Sequence, residues 1–172
     1  DGSRAGVLVS NSREEKKSDW SPVRPKVLDA DVIRFQNNEE KWIAFVGIKD
    51  GVPYEIFTGL QDDEMFPIPK SIIKGKIIKN KDDAVNTRYD FQYTDKYGYK
   101  NTLGGLSHMF KPEFWNYARL ISGVLRYGMP VSDVVELVSS MKLDSESINT
   151  WKNGVERSLK RYIPNGTKAK GK

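Results

Sequence analysis

The chain has no cysteine and a single histidine, His108, among its 172 residues. Without thiols it cannot form disulfides, thiolate zinc sites or iron–sulfur clusters, and it has no cysteine nucleophile. A Ser-His-Asp triad would have to use His108, and no nucleophile turn accompanies that residue. Because the absence of disulfides is compatible with a reducing compartment, we predict a cytoplasmic protein.

Long apolar runs are missing as well. No segment approaches the length needed to span a membrane, and the N-terminal stretch "DGSRAGVLVSNSREEKKSDW" lacks the apolar core of a signal peptide. The chain begins with Asp1 rather than Met, so we expect it to be part of a longer protein. Hydrophobic residues make up 38% and charged residues 30% of the sequence, as in ordinary globular proteins.

Positive charge is concentrated near the C-terminus. The formal net charge is +5, and much of it lies in "WKNGVERSLKRYIPNGTKAKGK". Such a local excess is compatible with nucleic acid or another acidic partner. A solubilising tail has the same composition, and we favour this interpretation, which makes nucleic acid the less favoured partner.

Three regions follow from the composition. Residues 1–29 are predicted to be an extended linker, because they combine the charged run "REEKK" with the prolines of "SPVRPKV". Residues 30–163 are predicted to form a single α+β domain. Residues 164–172 are predicted to be a basic flexible tail.

A strong hairpin signal lies at positions 50–51. There, Asp-Gly separates "KWIAFVGIK" from "VPYEIFT", and a type I′ turn requires positive φ at both of these positions. A two-residue turn predicts that Lys49 pairs with Val52 and, further along, that Val46 pairs with Glu55. Pro53 cannot donate to a ladder, so its strand is predicted to lie at an edge of the sheet.

The period of the apolar residues changes from that of strands to that of helices after Gly105. We therefore predict an α+β fold, with an antiparallel sheet in the N-terminal half packed against about three C-terminal helices. The predicted inner faces are Phe114, Ala118, Ile121 and Leu125, widened by Tyr117, Leu120 and Val124, for the first helix; Val131, Val134, Val135, Val138 and Met141 for the second; and Ile148, Trp151, Val155, Leu159 and Tyr162 for the third.

Glu55 is the carboxylate with the most apolar neighbours in the hairpin. An apolar setting disfavours its charged form and could produce a general acid. Alternatively, Glu55 forms an ion pair with Arg34, Arg88 or Arg119. We favour the structural ion pair, because no convergent catalytic partners are evident.

Arg119 and Arg126 lie on one side of the first predicted helix. They could hold an acidic patch or a phosphate. We favour ion pairs with Glu113, Asp133 or Glu55. The predicted structural or interface residues are therefore Glu55, Arg119 and Arg126, and we assign no catalytic, cofactor-binding or metal-binding residue.

Two further patterns have functional alternatives. The acidic groups at 62–64 and 82–83 could bind a cation, but they lack the spacing of a calcium loop and are interpreted as solvated turn charges. The strand containing Tyr89, Phe91 and Tyr93 could stack bases, as single-strand binders do. The same alternation suits a core face, which we favour.

Four blocks together resemble a known family. They are "RPKVLDADV", "EKWIAFVGIKDGVPYEIFTG", "WNYARLISGVLRYGMPVSDVVELV" and "INTWKNGVERSLKRYIPNGTKAKGK". In this order they resemble the C-terminal region of adenosylcobalamin-dependent (class II) ribonucleotide reductases, and the resemblance covers nearly the whole chain. It implies a parent enzyme that reduces ribonucleoside diphosphates to deoxyribonucleotides for DNA replication.

The resemblance also implies a role for this chain. It would be a non-catalytic accessory domain, inactive alone, that packs on the catalytic barrel of the same polypeptide. It would carry a cysteine-rich tail, absent here, that meets a protein reductant. Adenosylcobalamin would bind in the parent enzyme and not in this part. The alternative is a nucleic-acid or nucleotide-binding module that uses the basic third helix and the aromatic strand.

Overall fold

The N-terminal half forms a six-stranded sheet with order β3-β2-β1-β4-β5-β6, and all neighbouring strands are antiparallel. The computed structural model describes residues 23–37, 39–61, 68–81, 87–142, 144 and 146–164. The strands are β1 (Val27–Asn37), β2 (Glu40–Lys49), β3 (Val52–Leu60), β4 (Lys74–Lys81), β5 (Thr87–Thr94) and β6 (Lys100–Leu103).

Helices follow the sheet, so the predicted α+β class is confirmed. They are α1 (Leu106–Met109), α2 (Pro112–Arg126), α3 (Val131–Ser140) and α4 (Glu146–Lys160). The three longer helices are those predicted, and α1 is an additional single turn. Pro112 opens α2, and Gly128 follows it with a φ of 90°. No described helix is long and apolar enough to cross a membrane.

One face of the sheet packs against the three longer helices. The buried residues of this first core cluster are Trp42, Ala44, Val46 and Ile56 from the sheet, and Phe114, Ile121, Leu125, Val131, Val134, Val135, Val138, Trp151, Val155 and Leu159 from the helices. The predicted inner faces are therefore largely confirmed. Leu120 is 70% exposed, so its placement on the inner face of α2 is wrong. Met141 follows the end of α3, is half-buried and belongs to neither core cluster. Ile148 has no described side chain.

The other face of the sheet carries a second core cluster. Its buried members are Ala30, Val32, Ile43, Phe45, Phe57, Ile68, Ile77, Phe91, Leu106, Phe110 and Ala118. Phe91 is fully buried, and Tyr89 and Tyr93 are partly buried against the cluster. The interpretation of this aromatic strand as a core face is confirmed.

Helix α2 lies along the outer edge of β3. The Ser122 hydroxyl accepts a hydrogen bond from the Ile56 N–H at 3.0 Å and donates to the Ile56 carbonyl at 3.2 Å. These backbone groups would otherwise be unpaired, because β3 is an edge strand. The edge position predicted from Pro53 is thus confirmed. The helix thus closes one end of the sheet and contributes to both core clusters.

The β2–β3 turn has the predicted backbone conformation. Asp50 has φ 54° and Gly51 has φ 78°, as a type I′ turn requires. Lys49 pairs with Val52 as expected.

Beyond this turn, the predicted register is wrong. The pairing shifts between Gly47 and Ile48, so Glu55 pairs with Gly47 instead of Val46. The shift is like that of a β-bulge: β3 contains one extra residue at this point, so every later pair moves by one position.

The first strand begins at Val27, inside the range 1–29 for which the sequence predicts a linker. Leu28 and Arg24 are buried, and the Lys79 N–H donates to the Lys26 carbonyl at 2.8 Å. The segment that leads into β1 is therefore attached to the sheet, while the division of the chain into three regions stays a prediction. The acidic groups at 62–64 and 82–83, and the predicted tail after Pro164, lie outside the described residues.

A buried ion pair beside a cationic cavity

Glu55 lies in the middle of β3 and is fully buried. Its neighbour on β2 is Gly47, and a Cβ atom at Gly47 would lie 2.6 Å from the Glu55 Cγ. The missing side chain at Gly47 therefore provides the space that the carboxylate occupies.

Arg24 binds both oxygens of this carboxylate. The Arg24 Nε donates to Glu55 Oε1 at 2.7 Å, and Nη2 donates to Oε2 at 2.9 Å. Both side chains are fully buried. A fork-to-fork arrangement of this kind compensates the charges where little water is available.

The partner of Glu55 differs from the three arginines considered in the sequence. Arg34 instead donates to the carbonyls of Ile72 and Pro69, and Arg88 contacts Asp90. The prediction of a partner among Arg34, Arg88 and Arg119 is therefore wrong. Arg24 precedes the strands, in the segment that the sequence predicts to be a linker.

The remaining donors of Arg24 are also occupied. Its Nη1 donates to the carbonyls of Pro25 at 2.6 Å and Lys26 at 3.0 Å, and Nη2 donates to the Ile77 carbonyl at 3.1 Å. The guanidinium carbon lies 5.4 Å from the centre of the Tyr89 ring. Arg24 therefore fastens the segment before β1 to both β3 and β4.

Arg126 is a second cation near Glu55. Its Nη2 lies 3.7 Å from Glu55 Oε1, and its guanidinium lies 5.2 Å from the centre of the Tyr54 ring. The Nε of Arg126 is buried without a hydrogen-bond partner among the described residues. The sequence suggested Glu113, Asp133 or Glu55 as a partner of Arg126, and the structure places Glu55 beside it.

A cavity of about 520 Å³ opens next to Arg126. Side chains from β3, β4, β5 and α2 line it, and those that define its chemistry are Lys79, Arg119, Arg126, Phe57, Tyr89 and Trp115. Arg119 is exposed and forms no ion pair within the part of the chain that the structure describes. The cavity therefore combines three cations with three aromatic rings.

The electrostatic environment of Lys79 reflects this concentration of positive charge. Burial lowers the pKa of Lys79, and the nearby charges of Arg126, Arg24 and Lys81 lower it further. The opposing effect of Glu55 is smaller. Glu55 supplies one negative charge beside these cations, so among the described residues the cluster has an excess of positive charge.

The described residues contain no group of three or more histidine and acidic side chains placed to hold a metal ion. Glu55 is fully buried, and Arg24 binds both of its oxygens. Its carboxylate is therefore not within hydrogen-bond reach of a molecule in the cavity, as acid–base chemistry would require. What the arrangement can do is stabilise the fold and attract an anion.

A sequence model of the family described as NrdJ homologue C-terminal domain matches residues 28–164. The matched range runs from the second residue of β1 to the end of the described residues, and it includes both core clusters. NrdJ is the class II, adenosylcobalamin-dependent ribonucleotide reductase. No curated protein and no solved structure is detectably similar to the chain.

Proposed function

Because the chain belongs to the NrdJ homologue C-terminal domain family, we propose that it is a non-catalytic domain of a ribonucleotide reductase. The reaction of the parent enzyme would be the reduction of ribonucleoside diphosphates to deoxyribonucleotides, which supplies DNA replication. The match over residues 28–164 supports this relationship, since it includes every described strand and helix apart from the first residue of β1.

The enclosure of Glu55 is the observation that supports a non-catalytic role. A general acid or base must come within hydrogen-bond reach of its substrate. Arg24 occupies both oxygens of Glu55, and the side chain is fully buried. The carboxylate that the sequence singled out therefore serves the fold.

Adenosylcobalamin does not fit any of three cavities among the described residues. They have volumes of about 300, 500 and 520 Å³, in the range typical of sites for drug-sized molecules. A corrin ring with its nucleotide and adenosyl groups is much larger. We therefore assign cobalamin binding to the catalytic barrel of the parent polypeptide, on which this domain would pack.

The basic segment after Pro164 would connect the domain to a cysteine-rich tail. A flexible connection sets the effective concentration of a dithiol at a distant active site. A protein reductant would then regenerate the tail dithiol. Such thiol chemistry requires a reducing compartment, which supports a cytoplasmic location.

Shortening residues 165–172 in the complete enzyme tests this arrangement. We expect turnover with a protein reductant to fall, whereas turnover with a small dithiol, which reaches the active site by itself, should be unchanged. A replacement of the same eight positions by Gly and Ser, which preserves the length, is the matched control and should retain activity. Unchanged turnover with the protein reductant after shortening would contradict the tether.

A nucleic-acid-binding module is the alternative. It would use the basic third helix and the aromatic strand, and Phe91 on that strand is fully buried. Salt-sensitive binding of single-stranded DNA by the chain would nevertheless support it.

A further inference from the structure

The cavity beside α2 has a charge imbalance that the protein itself does not resolve within the described residues. Lys79, Arg119 and Arg126 line it, and the nearest buried carboxylate, Glu55, is already bound by Arg24. Lys79 and Arg126 are half-buried and share the single negative charge of Glu55 with Arg24, which is unfavourable because burial disfavours the charged form. An anion in the cavity would remove this cost.

The hydrogen bonding of Arg126 also favours an anion in the cavity. Its Nη2 is 3.7 Å from Glu55 Oε1, which is too long for a hydrogen bond, and its side chain, 23% exposed, lines the cavity. A guanidinium presents five donors in a planar fork that matches the oxygens of a phosphate. Arg126 therefore retains donors that an oxyanion in the cavity could use.

Aromatic rings form the other part of the wall. Trp115 stacks on Phe57 with 4.9 Å between the ring centres, and Tyr89 lies 5.8 Å from Trp115. Each of these rings lines the cavity. A ligand that places an anionic group near the cations can therefore bring a flat ring against the aromatic wall.

We propose that this cavity binds a small aromatic phosphate ester, with the phosphate held by Lys79, Arg119 and Arg126 and the ring placed against Trp115 and Tyr89. The volume of about 520 Å³ lies within the range of small-molecule sites. A concave site of this size favours a small ligand over a nucleic-acid strand, which requires an extended groove. The proposal does not depend on the activity of the parent enzyme.

Calorimetric titration of the 172-residue chain with three probes tests both halves of the ligand. The probes are adenosine 5′-monophosphate, adenosine and ribose 5-phosphate. We expect the monophosphate to bind with a dissociation constant in the millimolar range or below. Adenosine should bind at least about tenfold more weakly, since it lacks the charged group. Ribose 5-phosphate should also bind more weakly, since it lacks the ring.

Arg119→Gln tests the position of the site. Arg119 is exposed, so the substitution should leave the fold intact, and we expect it to weaken binding of the monophosphate by about 10-fold or more. Arg157→Gln is the matched control, because it removes the same exposed charge from α4, which packs on the other face of the sheet. Lys79→Gln should weaken binding as Arg119→Gln does.

Several results would overturn the proposal. One is no detectable binding of the monophosphate at millimolar concentration. Another is an equal loss of affinity in Arg119→Gln and Arg157→Gln, which would indicate attraction to overall charge. If ribose 5-phosphate binds as tightly as the monophosphate, the ring has no subsite. Tighter binding of a single-stranded oligonucleotide than of the monophosphate would identify a polymer as the ligand instead.

Discussion

Arg24 and Glu55 form a buried, two-point ion pair across three strands. Arg24 precedes β1, Glu55 lies on β3, and β2 lies between these strands in the sheet. The pair can close across β2 because Gly47 has no side chain at the point of crossing. This relationship explains how a carboxylate can occupy the core of the domain.

The first prediction concerns the stability of this pair. Arg24→Met alone should lower the free energy of unfolding by about 3–5 kcal/mol, because it leaves a buried carboxylate without its cation. The double variant Arg24→Met/Glu55→Leu should be considerably more stable than that single variant. Urea denaturation of the wild type, both single variants and the double variant gives the coupling energy directly. Additive losses would show that the two side chains act independently.

The second prediction contrasts two glycines in helices. A Cβ at Gly154 on α4 would collide with the ring of Phe35, whereas a Cβ at Gly123 on α2 meets no atom within 4 Å. Gly123→Ala should therefore stabilise the protein by about 0.5–1 kcal/mol through helix propensity. Gly154→Ala should destabilise it by about 1–3 kcal/mol through overpacking. Thermal unfolding of both variants measures the signs, and equal signs would be inconsistent with the described packing.

The third prediction concerns the protected sheet edge. Ser122→Ala removes the hydroxyl that satisfies both backbone groups of Ile56, so it should cost about 1–3 kcal/mol. Ser140→Ala is the control, because the Ser140 hydroxyl is exposed and, among the described residues, donates to the Leu137 carbonyl of its own helix. It should change stability by less than about 0.5 kcal/mol. A similar small effect of both substitutions in urea denaturation would remove the proposed role of Ser122.

The fourth prediction concerns alkaline pH. Burial, and then the hydrogen bond from the Tyr162 hydroxyl to Asp31 Oδ2 at 2.6 Å together with the charge of Asp31, raise the pKa of Tyr162. The folded state therefore holds this proton above pH about 10, where the unfolded state releases it. The stabilisation is complete below that pH and is lost as pH rises towards the folded-state pKa.

Tyr162→Phe isolates this effect. The stability difference between wild type and variant should be largest near neutral pH and should shrink above pH about 10. Measuring unfolding free energies at a series of pH values for both proteins separates Tyr162 from the other titrating groups. A difference that stays constant up to pH about 11.5 would contradict the raised pKa.

The fold class was predictable because its signals are local. Strand-like alternation around Tyr89 and Phe91, and helical spacing from Phe114 to Leu125, require only neighbouring residues. The register of β2 with β3 was not predictable in the same way. Both strands bury their residues on both faces, so the hydrophobic pattern does not distinguish a shift by one position.

The sequence pattern also did not predict which arginine binds Glu55. Arg24 lies 31 positions before Glu55 and beside Pro25, in a segment whose composition is that of a linker. Its burial depends on the pairing of β1 with β2 and β4, which is a long-range property of the sheet. Likewise, Lys79 and Tyr89 join Arg119 and Arg126 only because α2 packs along the edge of β3.

The most direct test of the account is the turnover number of the proposed parent reductase with Arg24→Met/Glu55→Leu in this domain. Circular dichroism should first show that the isolated double variant is folded. We predict a turnover number within about twofold of the wild type, because the buried carboxylate does not take part in the reaction. A loss of about 100-fold or more, the usual contribution of a general acid or base, would contradict the non-catalytic role of Glu55.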